Sequence, residues 1–254
     1  MAPVSESLRL TYGPHPSQFG ELSLPDHDPR AVVVLVHGGF WRQAWDLELA
    51  RPLAADLVAA GHAVWAIEYR RVGGGGGWPA TFDDVAAAFD LLAGPVQEAA
   101  GGRLDLDRVV AVGHSAGGHL AVWSGARAGL PADSPWARPA VRLRGVVSQA
   151  GVLDLVDAVE LSSGAVVDFL GGTPAEHPDR YALASPIARV PIGVPVVCVH
   201  GTADVNVPIR QSERFVAASG DELVVLPDVE HMAVIDPAAD AWRVCRDAID
   251  RLLP

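Results

Sequence analysis

One stretch of sequence decides the fold: Val112-Gly113-His114-Ser115-Ala116-Gly117-Gly118. It contains a G-x-S-x-G pattern that lies between an apolar, β-branched run, Arg108–Val112, and a stretch of helical character that continues to Arg127. Between a strand and a helix, this pattern predicts a tight turn that holds the serine hydroxyl above the end of a sheet. The following helix N-terminus offers free N–H groups to a developing oxyanion. We interpret Ser115 as a nucleophile; the alternative is a glycine-rich turn that only packs a helix on a sheet.

Composition excludes several classes of function. The chain has 254 residues, half of them hydrophobic, and a formal net charge of −12. A chain of this length buries about 70–75 % of its unfolded surface, and we predict one domain over residues 1–254. The acidic balance argues against nucleic acid and anionic membranes as partners. All 19 basic residues are arginine, which excludes a Schiff-base lysine, a Ser-Lys dyad and a Walker A loop.

The sequence also predicts a cytoplasmic protein that does not enter a membrane. The segment Met1–Leu10 lacks the charged-then-apolar pattern of a signal peptide. No apolar run approaches the length of a membrane span. Cys198 and Cys245 lie on apolar segments without metal-ligand spacing, so we expect buried thiols rather than a disulfide.

Strand and helix patterns alternate along the chain, which predicts an α/β fold with a mostly parallel eight-stranded sheet between helices. The predicted strands are Leu8–Thr11, Glu21–Leu24, Ala31–His37, Ala63–Tyr69, Arg108–His114, Leu143–Gln149, Pro195–His200 and Glu222–Leu226. The predicted helices are Leu47–Ala60, Thr81–Ala100, Gly118–Arg127, Ile209–Ala218 and Pro237–Leu253. Residues 156–194 exceed the length of a simple connection, and we interpret them as a small lid beside a pocket. Gly73–Gly77 is interpreted as a flexible loop, with a lip of the site as the alternative.

A serine nucleophile needs a base, and the base needs a carboxylate that orients it. In hydrolases with this turn the chain order is Ser, then Asp or Glu, then His. Asp204 follows the strand that ends at His200, and His231 follows the next strand. We predict His231 as the base and Asp204 as the acid. Asp154 is the alternative acid, and the alternative role of Asp204 is to form a turn.

The segment His37-Gly38-Gly39-Phe40-Trp41 follows the first long strand. Acyl transfer needs N–H donors directed at the oxyanion, and adjacent glycines let the backbone turn its amides inward. We predict an oxyanion hole formed by the N–H groups of Gly38, Gly39 and Ala116, with His37 bracing the loop. Phe40, Trp41 and Trp78 are predicted to contact the substrate, with ordinary packing as the alternative.

These motifs resemble those of the α/β-hydrolases across essentially the whole chain. His37–Trp41 is similar to the HGGxW signature of kynurenine formamidases (arylformamidases) and related small esterases. Glu68-Tyr69-Arg70, Gly113–Leu120 and His200–Asp204 fit the same group, whereas Met232 stands where an aromatic residue is common. The resemblance implies a Ser-Asp-His hydrolase of carboxylic esters or N-formyl aryl amides that uses no cofactor and no metal.

The predicted reaction proceeds through an acyl-enzyme on Ser115 and favours small acyl groups with aryl leaving groups. N-formylkynurenine is the leading single candidate, and a generic short-chain ester is the next. A small ester or amide is the partner that we expect. Two alternatives stay open at this point. One is a catalytically silent α/β-hydrolase that binds a small ligand, and the other is an acyltransferase or thioesterase that uses the same triad.

Overall fold

The computed structural model describes residues 7–253 and contains one eight-stranded sheet. Its strands are β1 (Leu8–Thr11), β2 (Phe19–Ser23), β3 (Val32–Val36), β4 (Ala63–Ile67), β5 (Val109–His114), β6 (Gly145–Gln149), β7 (Val196–Gly201) and β8 (Glu222–Leu226). The strand order is β1-β2-β4-β3-β5-β6-β7-β8. The pairs β1–β2 and β2–β4 are antiparallel, and the remaining pairs are parallel. The predicted fold class is therefore confirmed.

Helices cover both faces of this sheet. They are α1 (Arg51–Ala59), α2 (Ala80–Asp90), α3 (Pro95–Ala99), α4 (Ala116–Ala126), α5 (Leu155–Leu161), α6 (Ala165–Leu170), α7 (Pro178–Ala184), α8 (Arg210–Ser219) and α9 (Asp240–Leu252). Strand β3 shows the arrangement most clearly, because every one of its residues is buried. Val32, Val34 and Val36 pack into one apolar cluster, and Val33 and Leu35 pack into the other. This accounts for the unbroken apolar sequence of the strand.

The long helix predicted over Thr81–Ala100 is wrong, because the structure divides it into α2 and α3. A short 3₁₀ turn over Leu91–Ala93 follows α2, and Gly94 then adopts a non-helical φ of −136° and ψ of −104°. Pro95 is the first residue of α3. A proline lacks the backbone N–H of a helix interior and disfavours the helical conformation of the preceding residue, whereas it fits the first turn.

The segment predicted as a lid, residues 156–194, contains most of α5, together with α6, α7 and a 3₁₀ turn over Pro186–Arg189. Val166, Phe169 and Leu170 of α6 are buried in the same apolar cluster as part of β3. Helix α5 contributes side chains to a depression beside the candidate site. The organisation as one domain with a small lid stays a prediction.

Both cysteines are buried and free, as predicted. Burial raises the pKa of the Cys198 and Cys245 thiols to about 12, so both are protonated at neutral pH. Among the helices between residues 7 and 253, none combines the length and the apolar character that a membrane crossing requires.

Candidate active site

Ser115 occupies a sharp turn between β5 and α4. Its backbone has φ 56° and ψ −118°, a conformation that a residue with a Cβ rarely adopts. The Ser115 N–H donates to the Gln149 carbonyl at 2.8 Å, and the Val152 N–H donates to the Ser115 carbonyl at 3.3 Å. Such strain persists where neighbouring structure determines the conformation. The side chain is buried, and its Oγ has no hydrogen-bond partner within residues 7–253.

The loops after β7 and β8 bring Asp204 and His231 together. His231 Nδ1 donates to Asp204 Oδ2 at 2.6 Å, which is the short distance of a charge-assisted hydrogen bond. The other carboxylate oxygen accepts the N–H groups of Asn206 and Val207 at 2.9 and 2.8 Å. Because Nδ1 carries the donated proton, Nε2 of the neutral ring is an acceptor. His231 is therefore held in the tautomer that a general base needs.

His200 is a second partner of Asp204 that the sequence does not predict. Its Nε2 lies 2.8 Å from the Val207 carbonyl oxygen and 3.3 Å from Asp204 Oδ2. Burial opposes ionisation of Asp204, but hydrogen bonds from His200 and His231 outweigh it and hold the pKa of this carboxyl well below its usual range. Asp204 is thus a carboxylate at any pH near neutrality. The four-residue spacing of His200 and Asp204 is the only feature of the sequence that indicates this contact.

His114 connects the serine turn to His231. Its Nε2 donates to the His231 carbonyl oxygen at 3.0 Å, and the two rings lie 4.4 Å apart. Burial, followed by the proximity of His231, lowers the pKa of His114 to about 3, so the ring is neutral. The structure holds no hydrogen bond from Ser115 to His231, since Ser115 Oγ is unpartnered. In ligand-free enzymes, catalytic hydrogen bonds are often long and tighten when substrate binds.

The loop after β3 lies directly against the serine turn. A Cβ on Gly38 would approach the His114 carbonyl oxygen to 2.8 Å and Ser115 Cβ to 3.2 Å. Gly39 has φ +114°, and a Cβ there would collide with the Trp45 side chain. Ala116 is the first residue of α4, so its N–H lacks an intrahelical acceptor. The structure therefore brings the predicted donor segments together around Ser115.

Of the three aromatic residues predicted to contact substrate, Phe40 alone is both partly exposed and part of the wall of a depression beside the site. It is half-buried and has a positive φ of 51°. It lines an apolar depression of about 260 Å³. The depression is bounded by Phe40, Trp41, Val152, Ala158, Leu161, Ser162, Asn206, Val207 and Gln211.

The packing of Trp41 and Trp78 gives no support to the predicted stacking of substrate on either ring, which stays a prediction. Trp41 has an exposed fraction of 0 %, because Phe169 stacks on its ring at 4.6 Å. Its indole N–H donates to His119 Nδ1 at 3.2 Å. Trp78 packs edge-on against Phe82 and another tryptophan at 5.2 and 5.1 Å, away from the lining of the depression. Trp41 is therefore part of the core, and the half-buried Trp78 packs against it.

Asp154, the alternative acid, is engaged elsewhere. Its Oδ2 accepts two hydrogen bonds from Arg214 at 2.9 and 2.7 Å. Its Oδ1 accepts the N–H groups of Val156 and Asp157 at the start of α5. The carboxylate that meets His231 is that of Asp204. Within residues 7–253, no group of three or more His, Cys, Asp or Glu side chains is arranged to hold a metal ion.

Three exposed apolar side chains adjoin the site. Val205 follows the candidate acid and is 89 % exposed. Met232 follows the candidate base, and Trp45 packs against Gly39; both are about half exposed. The rim beside the candidate residues is therefore partly apolar.

The strand order, together with a strained serine after β5 and a His–Asp pair after β8 and β7, defines an α/β-hydrolase fold. The BD-FAE family profile matches residues 22–218, and the chain belongs to this family. The matched region contains Ser115, Asp204 and the Gly38-Gly39 loop, whereas His231 lies beyond its end.

Several curated relatives are similar in sequence. A monoacylglycerol lipase of Mycolicibacterium smegmatis is 30 % identical over 84 % of this chain and 85 % of its own length. Esterase LipC of Mycobacterium tuberculosis is 29 % identical over 82 % of this chain and 53 % of its own length. Esterase LipQ of the same organism is 31 % identical over 75 % of this chain and 46 % of its own length. The chain thus spans about half the length of these two esterases.

Solved structures share the fold at low identity. A truncated carbohydrate esterase from gut microbiota superposes with a TM-score of 0.78 and 23 % identity, covering 98 % of this chain and 96 % of that one. Thermogutta terrifontis esterase 2 with bound propionate gives a TM-score of 0.75 and 22 % identity, covering 98 % and 94 %.

Proposed function

We propose that this chain is a serine hydrolase that cleaves small-acyl esters through an acyl-enzyme. Ser115 is the nucleophile, His231 the general base and Asp204 the group that orients it. The observation that carries the proposal is the 2.6 Å hydrogen bond between His231 and Asp204, formed beside a strained serine turn. The names of the sequence relatives, two esterases and a monoacylglycerol lipase, support ester hydrolysis as the reaction class.

Each step of the reaction has a group that can perform it. His231 Nε2 takes the Ser115 proton as Oγ attacks the acyl carbon, and Asp204 stabilises the resulting imidazolium. The N–H groups of Gly38, Gly39 and Ala116 stabilise the oxyanion of the tetrahedral intermediate. Removing one such donor typically costs about 10²–10³ in kcat. His231 then protonates the leaving alcohol, and it later deprotonates the water that hydrolyses the acyl-enzyme.

The depression beside the site suits a small, uncharged acyl group. Its empty space of about 260 Å³ includes open solvent, so it is a shallow depression rather than an enclosed cavity. Phe40, Val152 and Ala158 make part of its wall apolar. The exposed Val205 and Met232 can cover an apolar leaving group outside the depression. Formyl, acetyl and propionyl esters therefore fit better than esters with long acyl chains.

Hydrolysis of N-formyl aryl amides is the second candidate. The similarity of His37–Trp41 to the arylformamidase signature supports it, and a formyl group is the smallest acyl group. Trp41 offers no free face for an aromatic leaving group, because Phe169 covers it. An aryl group would contact Phe40 or the half-exposed Trp45 instead.

A substrate panel separates these candidates. We would compare kcat/KM for p-nitrophenyl formate, acetate, butyrate and octanoate and for N-formylkynurenine. Brisk acetate hydrolysis without deformylation supports the esterase, and a higher value for N-formylkynurenine than for acetate supports the formamidase. A preference for octanoate contradicts the small-acyl argument. Transfer of the acyl group to added alcohols or thiols in preference to water identifies an acyltransferase.

A fluorophosphonate probe tests whether the chain is an enzyme at all. The probe phosphonylates an activated serine, so the wild-type chain is expected to be labelled and the Ser115→Ala variant is not. A folded wild-type chain that stays unlabelled is a catalytically silent α/β-hydrolase, and the proposed function is then wrong.

A further inference from the structure

A buried charged cluster stands behind the loop that faces Ser115. His37, Glu68 and Arg71 are all buried. The Glu68 carboxylate accepts the N–H of Leu47 at 2.9 Å and the N–H of Tyr69 at 2.8 Å. It also accepts a hydrogen bond from Arg71. Two backbone N–H groups and the Arg71 guanidinium thus donate to one buried carboxylate, and His37 Nε2 lies beside it.

The hydrogen-bond partners of His37 determine where its protons lie. Nδ1 is 2.8 Å from the Gly38 carbonyl oxygen, which can only accept, so Nδ1 carries a proton. Nε2 is 3.1 Å from the Glu68 carboxylate, and the Arg71 guanidinium is farther away at 3.5 Å. Glu68 and Arg71 thus hold the Nε2 side of the ring, and the Nδ1–H is directed at the Gly38 carbonyl.

Tyr69 fixes the plane of this ring. The two rings stack with centroids 4.4 Å apart and planes 12° from parallel. The Tyr69 hydroxyl donates to the His37 carbonyl oxygen at 2.7 Å. Burial raises the pKa of Tyr69 far above its usual value, so the hydroxyl stays a donor. The His37 ring is thus held on its face, at its backbone and at both nitrogens.

We propose that His37, oriented by Glu68, positions and polarises the peptide group that supplies one oxyanion donor. The Gly38 carbonyl and the Gly39 N–H belong to the same peptide unit. A donor on the carbonyl fixes the orientation of this unit and strengthens its N–H as a donor, since hydrogen bonds in series polarise one another. His37 and Glu68 are positioning residues, because neither touches the reacting atoms. The inference rests on the proposed function and assigns a role to two residues outside the triad.

A matched pair of variants at position 37 tests the donor itself. Asparagine and leucine have similar shapes, but asparagine can place an N–H where Nδ1 stands, and leucine cannot. We expect His37→Leu to lower kcat by about 10², within the cost of losing one oxyanion-hole donor, with KM little changed. The kcat of His37→Asn is expected to be about tenfold above that of His37→Leu, because asparagine restores one hydrogen bond to the Gly38 carbonyl. The affinity for a trifluoromethyl ketone, whose serine adduct carries an oxyanion, is expected to follow kcat in both variants.

Glu68→Gln and Glu21→Gln form a second matched pair. Glu21 is also buried and ion-paired, through Arg9 and Arg51, but it lies on β2 and away from the site. Both variants are expected to lose stability in urea unfolding. Only Glu68→Gln is expected to lower kcat and the affinity for the trifluoromethyl ketone. Here kcat is expressed per active site, and active sites are counted by fluorophosphonate labelling carried to completion.

The outcomes separate this inference from the proposed function. If the wild-type chain neither reacts with the probe nor hydrolyses esters, the proposed function is wrong. If the wild-type chain is active, but His37→Leu retains wild-type kcat or His37→Asn is no better than His37→Leu, only the positioning role is overturned. If His37→Leu does not fold, ¹⁵N spectra of histidine-labelled wild-type protein decide the matter, with the His37 signals assigned by their loss in His37→Asn. The Nδ1 signal is expected to be that of a protonated nitrogen, and an unprotonated Nδ1 contradicts the inference.

Discussion

Replacing Asp204 with asparagine removes one charge and almost no volume from the centre of the candidate site. In the wild-type structure the carboxylate receives His231 Nδ1–H on one oxygen and the N–H groups of Asn206 and Val207 on the other. The asparagine carbonyl can keep the two backbone hydrogen bonds. Its NH₂ group then faces His231 and donates to Nδ1, so the ring proton moves to Nε2.

A ring protonated at Nε2 cannot accept the Ser115 proton. We therefore expect kcat to fall by about 10⁴, the usual effect of the wrong tautomer in such a triad. KM is expected to change little, because Asp204 does not face the substrate. The NH₂ group also opposes the Nε2–H of His200, which lies 3.3 Å from the carboxylate. Leaving buried donors unmatched costs about 1–3 kcal/mol of stability.

The assay compares Asp204→Asn with Asp154→Asn, using kcat for p-nitrophenyl acetate and urea unfolding. Asp154 is also buried and loses the same charge, but its partner is the half-exposed Arg214. Its variant is expected to keep kcat within about threefold of wild type, because Asp154 pairs with the exposed Arg214 and not with His231. Folded Asp204→Asn protein with kcat within about tenfold of wild type, or a crippled Asp154→Asn enzyme, would refute the assignment of the acid.

The remaining predictions concern the nucleophile, the oxyanion loop and acid stability. Ser115→Ala is expected to lower kcat by about 10⁶ with the fold retained, and a folded variant with near-native esterase activity contradicts the mechanism. Gly38→Ala brings a Cβ to 2.8 Å from the His114 carbonyl oxygen, so we expect kcat to fall about 10²–10³. Gly129→Ala, whose Cβ meets open space, is the control, with unchanged kcat expected. Burial lowers the pKa of His114 to about 3 and that of His119 to about 4, so below about pH 6.5 the unfolded chain takes up protons that the folded chain does not. The free energy of unfolding is expected to fall by about 2 kcal/mol per histidine between pH 7 and pH 5. The His119→Gln variant is expected to show about half of the combined decrease. Equal slopes of unfolding free energy against pH for variant and wild type contradict this prediction.

Much of the fold could be predicted because its signals are local. Each parallel strand is a short apolar run, such as Val32–Val36, and each is buried on both faces. The G-x-S-x-G turn and the order of Asp204 and His231 along the chain also predicted which loops meet at one edge of the sheet. The continuous helix predicted across Gly94-Pro95 fails for a different reason. The proline signal is local too, but it competes there with a helical pattern on both sides.

The sequence by itself thus determined the α/β alternation, the position of the serine turn and a short list of candidate side chains. Only the tertiary structure selected among them, because burial and hydrogen-bond partners come from segments distant in the chain. Phe169 covers Trp41 from 128 residues away along the sequence and removes it from the substrate surface. Arg214 occupies Asp154, which leaves Asp204 for His231. The orientation of His37 depends on Glu68, because this buried carboxylate comes from the end of another strand and meets the ring only in the folded chain.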